Sequence, residues 1–562
     1  MNDVKKVLIA ISILLLSVSA FGSSVKDFGA VGDGKTDDTK AFNDALAAAA
    51  KEGGGVVSVP AGKYRINGNI KIPGSVTLEG TWRGAPLITD KNEGSLLLAY
   101  AGKNDPEGEP FIEFTGGGSA LAGIAVYYPE CDTKTIPPTP YPPCVSAKRG
   151  CDNITVRDCL LQNPYEGIKF VGAARHLISN VHGYPTHRGI FIDECYDISR
   201  IENVHLWPYG VAYSYGDPYC KYINRNAVAF EIAKSDWQYI TNCFCYGYGV
   251  GFKFSDYGHG GCNASCLSAG ADACKTAYLV EALRQPGLYI TNSNICAAWE
   301  SDCVGLEIKP TVREKVSLVN CGFWGSVNTH IKMDAPEGIL SVSETNFASW
   351  GAFDPTAPAI AITAGKSMIR GCTFDAGLVG VKIGKDAGET VVRDNFIKGP
   401  RSLKTVNESK YLTACDNGVD REDIDPKNYT VEAGANDVYR VFNMYGVEDG
   451  SSRWGEGRKR RWTRGSEGYL LLPVKKGKKY EISLDIDTNE HGLDGGIYFG
   501  GKCLAELKMG SETYKFTLKS ETDEIRLDIK CKSWRPCDVI PGYGDARTLG
   551  VGFSKAEVKI FK

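Results

Sequence analysis

Two acidic residues carry the strongest chemical suggestion in this sequence. Asp193 and Glu231 directly follow the runs Gly189-Ile190-Phe191-Ile192 and Ala227-Val228-Ala229-Phe230. Alternation turns the aliphatic residues to one side and their neighbours to the other. Aligned by their inward residues, copies of this run put Val171, Asp193, Glu231 and then Lys253 or Ser255 in one outward row. Stacked strands lie about 4.8 Å apart, so Asp193 and Glu231 are expected as near neighbours with Lys253 beyond. Two carboxylates that close do not both ionise freely, and one pKa rises. An acid paired with a base or nucleophile is what glycosidic cleavage requires. Five of the seven histidines fall between residues 176 and 259, mixed with arginine and carboxylates. His187, Arg188, Lys253, Asp256 and His259 therefore read as substrate contacts around the acid pair. Trp207 heads a series with Tyr246, Trp299, Trp324 and Trp350 that suits either the apolar face of a pyranose or packing against a loop. Proton abstraction beside a uronate carboxylate draws on another set. Lys169, Arg188 and Lys253 would neutralise the carboxylate while a base removes the proton. No cofactor is expected under the first chemistry; Ca²⁺ held by acidic residues belongs to the second alone.

Rows of this kind need a repeating scaffold, and the sequence has one. An aliphatic residue, a variable one, then Asn or Asp in most copies, then Cys or a small residue recurs from Val156-Arg157-Asp158-Cys159 to Val392-Arg393-Asp394-Asn395. Intermediate copies include Ile178-Ser179-Asn180-Val181, Ile240-Thr241-Asn242-Cys243 and Leu318-Val319-Asn320-Cys321. Most intervals are 20–30 residues. An interval of 50 fits two coils, and one of 39 fits a coil with an insertion. Short β-type segments at this period predict a solenoid of stacked coils, a parallel β-helix. The recurring Asn predicts an amide ladder in one turn. Cys159, Cys243, Cys321 and Cys372 share a repeat position and are expected inside the core as small apolar residues. Cys262, Cys266 and Cys274 beside His259 allow zinc ligation, with a disulfide-braced loop the favoured reading. Cys503, Cys531 and Cys537 pose the same choice.

A solenoid needs its open end covered. Residues 36–52 predict the plug, with Thr36 or Asp37 as N-cap, Ala41, Phe42, Ala45, Leu46 and Ala49 as the apolar face, and Gly53-Gly54-Gly55 as the stop. Asp33, Asp37 and Asp38 are expected in caps and turns rather than around a metal. Ahead of this, Lys5-Lys6, the apolar run Val7–Leu16 and Val18-Ser19-Ala20 have the layout of a cleavable signal peptide. The run is too short to span a bilayer comfortably. The protein is expected to be secreted or periplasmic, with no membrane association after cleavage. Lys and Arg number 64 against 67 Asp and Glu, a net charge of −3, so there is no basic field for nucleic acid. Past residue 436, strand-like runs separated by turn residues predict a β-sandwich.

The N-terminal segment resembles a known family. Val25-Lys26-Asp27-Phe28-Gly29-Ala30-Val31-Gly32-Asp33-Gly34, then Thr36-Asp37-Asp38-Thr39 and Val56-Val57-Ser58-Val59-Pro60-Ala61-Gly62-Lys63-Tyr64, is similar to the opening motif of the pectate-lyase superfamily. That group includes rhamnogalacturonases, polygalacturonases, alginate-type epimerases and phage tailspikes. The resemblance implies a right-handed parallel β-helix with polysaccharide laid along an outer sheet. Gly258-His259-Gly260 resembles the Gly-His-Gly element of polygalacturonases, and Glu307-Ile308-Lys309 partly matches their Arg-Ile-Lys. Their Asn-Thr-Asp and paired-Asp elements are missing at the expected coils.

These observations give an all-β chain: signal peptide 1–20, parallel β-helix 21–400 with an N-terminal capping helix, linker or final coil 401–436, and an accessory β-sandwich 437–562 suited to carbohydrate binding. The leading expectation is an exported glycoside hydrolase acting on an acidic or decorated polysaccharide. Asp193 and Glu231 would be its acid/base or nucleophile. A polysaccharide lyase or epimerase, and a non-catalytic glycan-binding or surface-structural protein, are the alternatives.

Overall fold

The computed structural model describes residues 23–82, 94–209, 211, 214, 216–375, 379–398, 404–415, 418–420, 426–434, 437, 440–445, 447–448, 458–540 and 547–561. The expected signal peptide lies outside them. Among the described residues no helix is long and apolar enough to cross a membrane.

The predicted solenoid is present as a 37-stranded parallel sheet wound into a β-helix. One outer sheet bears on the candidate site. It contains β1 (Glu166–Val171), β2 (Arg188–Asp193) and β3 (Val228–Ile232), each hydrogen-bonded in parallel to the next. The following sheet contains β4 (Gln238–Thr241). The first sheet resumes with β5 (Val250–Phe254), the second with β6 (Cys262–Leu267). Then come β7 (Thr276–Val280) and β8 (Leu283–Thr291), one on each. The interval of 50 residues does hold two coils, because β6 supplies the extra one. The interval of 39 holds an insertion that includes a helix, Pro218–Asn226, N-capped by Asp217; sequence reading had not named it.

Backbone geometry explains the repeat. Asp158, Asn180, Asn203, Asn242, Asn292, Asn320, Glu344 and Asp394 all have φ between 50° and 56°. Gly371 occupies the same repeat position at φ 63°. That left-handed region disfavours most side chains, and Asn, Asp and Gly tolerate it best. Neighbouring coils bond through it: Asn180 Nδ2 donates to Asp158 Oδ1 at 2.7 Å, and Asn320 Nδ2 to Asn292 Oδ1 at 2.9 Å.

The residue after this turn points inward. Cys159, Cys243, Cys321 and Cys372 are all buried in the core, as expected. Burial pushes the Cys243 thiol up to about 12, so it stays a neutral apolar group. Neither a zinc cluster nor a disulfide-braced loop forms at Cys262, Cys266 and Cys274. All three face the same interior as free thiols, while His259 sits outside. The reason is strand alternation: Cys262, Ala264 and Cys266 are the inward set of β6. Cys503, Cys531 and Cys537 are also free thiols.

The cap forms as Thr39–Lys51, burying Ala41, Phe42, Ala45, Leu46 and Ala49. Its N-cap is Asp38 rather than Thr36 or Asp37. Asp38 makes no cap bond and instead accepts from the N–H groups of Val31 and Gly32 at 2.6 and 3.0 Å. Asp37 bonds Thr39 and Asn67, and Asp33 bonds Lys35 and Thr36, so the three acids serve turns. At the other end, ten antiparallel strands form one continuous sheet. Leu470 and Leu472 share a core with Ile482 and Leu484 from the distant part of that sheet, which folds it face to face as a sandwich.

Candidate active site

Register decides how the predicted acid pair meets. In β2 and β3, Ile190 stands opposite Phe230 and Phe191 opposite Glu231. Asp193 lies two positions beyond Phe191 on the same outward face. The two acids are therefore diagonal neighbours, not the directly opposed pair the sequence alignment suggested. A slip of two residues keeps every inward residue inward, so alternation alone does not distinguish the two registers.

The two carboxylates are held very differently. Glu231 is 2% exposed. Lys253 Nζ lies 3.2 Å from Oε1, and Ser255 Oγ and Tyr257 Oη each donate to Oε1 at 3.0 Å. Arg188 Nη1 donates to Oε2 at 3.4 Å and Nη2 to Glu166 Oε1 at 2.7 Å. Burial works to raise the Glu231 pKa, but Lys253 and Arg188 outweigh it and hold the carboxyl below its usual range. The rise expected for one member of the acid pair therefore does not fall on Glu231. The opposing charges are cations rather than Asp193, so the group stays ionised. Arg188 also lays its guanidinium 4.0 Å over the Phe191 ring, and Tyr257 meets that ring edge-on at 5.3 Å. Lys253 is shared with Glu281 at 3.4 Å.

Asp193, 4% exposed, is held mainly by backbone. Its Oδ1 accepts from the N–H groups of Glu194 and Lys234 at 2.9 and 3.0 Å. Its Oδ2 lies 3.2 Å from His259 Nδ1. A carboxylate only accepts, so Nδ1 carries the proton of this bond and Nε2 is left for other work. Nε2 is 3.6 Å from Glu194 Oε1, and the imidazole is half exposed. Glu194 in turn pairs with Arg149. His259 sits on the turn after β5, which Asp256 shapes by accepting from the N–H groups of Gly258 and Gly260 at 2.7 and 2.8 Å. Asp256 thus acts first on the turn, a different part from the substrate contact expected.

His187 is exposed and stacks on Tyr165 at 4.6 Å and 7°. Burial holds its pKa below the ordinary histidine value, although Glu166 pulls upward. Trp207 is outside this network. It lies at the end of a strand on a third face, its ring tilted 40° against that of Tyr246 at 4.4 Å. Trp350, in the same series, is buried and donates Nε1–H to Val379 at 2.8 Å, so it packs rather than forming an open platform. Tyr257, Phe191, Glu194 and Lys234 are the residues that sequence reasoning missed. Tyr257 had a visible signal, standing between Ser255 and His259 in the Ser-Asp-Tyr-Gly-His turn.

Calcium does not fit what stands here. One ligand atom each from Asp193, Glu194 and His259 lie within 4.8 Å of one another. Ca²⁺ takes six to eight oxygen ligands, whereas this set offers two carboxylates and a ring nitrogen already turned on Asp193.

Residues 22–117 match the sequence family described as rhamnogalacturonase A/epimerase, pectate lyase-like, which covers the opening motif. Alginate lyase 7 of Azotobacter vinelandii is 62% identical over 45 residues, 8% of this chain and 5% of that protein. Mannuronan C5-epimerase AlgE3 of the same organism is 43% identical over 90 residues, 14% of this chain and 5% of the relative. The chain thus spans only about one twentieth of the length of these curated relatives. The solved A-module of mannuronan C-5 epimerase AlgE4 from Azotobacter vinelandii aligns over 71% of this chain and 100% of its own length, with 17% identity and a TM-score of 0.44.

Proposed function

We propose that this chain is a polysaccharide-acting enzyme that performs proton transfer on an acidic glycan, as a lyase or epimerase. The observation that carries this reading is the His259–Asp193 pair, a half-exposed imidazole oriented through Nδ1 by a buried carboxylate. Nε2 takes the proton next to a uronate carboxylate, and Glu194 lies where it favours the resulting imidazolium. Tyr257, on the same turn, supplies the acid. Burial and then Glu231 push its pKa up, so it keeps its proton at neutral pH. Lys169 and Lys234 stand beside this face as cations with no ion-pair partner among the described residues, available to a uronate carboxylate. Glu231 is a positioning hub that fixes Arg188, Lys253 and Tyr257.

Glycoside hydrolysis is the second reading, now with Asp193 and Glu194 as its carboxyl pair. Ligand atoms of the two within 4.8 Å of each other approach the spacing of a retaining enzyme. Polygalacturonate and alginate digests separate the readings. Unsaturated uronide products, or solvent deuterium entering at the abstracted carbon without cleavage, support proton abstraction. New reducing ends without unsaturation select hydrolysis. His259→Ala should abolish the first outcome in a folded protein, and retained turnover in that variant overturns it.

A further inference from the structure

Around the corner from this site the wall changes character. The turn after β3 ends at Trp237, and the turn after β5 runs into Asn263. Both border a cavity of about 250 Å³ on the outer face of β4, β6 and β8. Tyr239, Ser265 and Tyr289 stand directly in line on consecutive coils of this face. The two tyrosines are thus two coils, roughly 9.6 Å, apart, with only a small serine between them. Trp237 and Pro286 wall the gap.

Three features mark it as a ligand slot. Trp237 is 54% exposed and Tyr289 38% exposed. Among the described residues, neither these rings nor Tyr239 packs against another ring or carries a cation, unlike Trp207 against Tyr246 or Phe191 under Arg188. Trp237 is also the one aromatic residue among the described residues with a positive φ, 55°, and its N–H is tied to Asn263 Oδ1 at 2.6 Å. That region disfavours a bulky side chain, and here the indole is left more than half exposed rather than packed away. Finally, no charged side chain lines the cavity, whereas carboxylates and cations crowd the site next door. Aromatic faces with a serine hydroxyl between them suit a ring with apolar faces and hydroxyl edges.

We infer that this slot binds one neutral pyranose of a decorated glycan, a subsite separate from the acid-handling centre. The inference rests on the reading of the chain as a glycan-acting protein. Its test does not require turnover. Affinity electrophoresis of the full chain through gels holding galactan, mannan, xylan or a β-glucan, with polygalacturonate and plain gels as controls, reads the slot directly. The expected result is retardation on at least one neutral polymer, reduced at least threefold in Trp237→Ala and Tyr289→Ala, restored in Trp237→Phe, and unchanged in His259→Ala. Lack of retardation on every neutral polymer overturns the inference, as does retardation that survives both alanine variants. A concentration-dependent dimer abolished by Trp237→Ala, seen by sedimentation, also overturns it, because the slot then holds a second copy of the chain. Failure of wild-type turnover on acidic polymers leaves these retardation results intact and counts against the proposed function alone.

Discussion

Asp193 and Glu231 sit on the same sheet, both almost fully buried, and the surroundings give them opposite roles. Glu231 is balanced by side chains, Lys253 and Arg188, and by two hydroxyl donors. Its charge is consumed in holding four neighbours still. Asp193 is balanced by two backbone N–H groups and one imidazole. Its one side-chain hydrogen-bond partner among the described residues is therefore the His259 ring. A buried carboxylate tied to cations is a strut, while one tied to backbone and a histidine orients a base.

Breaking the Asp193 side should give the largest effect on turnover. His259→Ala is expected to lower kcat on the responsive glycan by about 10²–10⁴-fold, with an unchanged thermal midpoint. Asp193→Asn should also lower kcat, since the imidazole loses the carboxylate that orients it through Nδ1. The Glu231 side should instead break stability. Glu231→Gln leaves Arg188 to Glu166 alone and Lys253 to Glu281 alone and is expected to cost about 1–3 kcal/mol, read from urea unfolding. Equal stability of Glu231→Gln and Asp193→Asn would erase the distinction.

The sign of the pH dependence sharpens it further. The folded Glu231 pKa lies below its unfolded value of about 4.3. The unfolded chain therefore binds more protons as pH falls through that range. The Glu231 contribution is present above the unfolded pKa and is lost as pH drops through the folded one. Urea midpoints taken below pH ~4.3 should fall more steeply in wild type than in Glu231→Gln. The smallest effect is outside the site. Asn320→Ala at φ 53° loses the amide bond to Asn292 and should cost about 1 kcal/mol, whereas Asn320→Gly should recover part of it.

The comparison also shows what the sequence could carry. The Asn and Asp positions were legible because a left-handed turn accepts few residue types and repeats them once per coil. The four stacked cysteines and the apolar face of the cap were legible for the same reason, a periodic demand from packing. The register of Asp193 against Glu231 was not. A two-residue slip leaves alternation untouched, and the inserted helix Pro218–Asn226 removes the spacing cue between β2 and β3. The partners of Glu231 were equally hidden, because Arg188 lies 43 residues before it and meets it only through coil stacking. The pKa direction at Glu231 follows from those partners, so it was hidden with them.

The interior cysteines carry one more consequence. From Cys144 to Cys372 they are free, buried and distributed over successive coils. A thiol reagent reaches each only when its own coil comes apart. Ordered by rate, their alkylation would trace how the stack unzips, one rung at a time, with the native residues as the reporters.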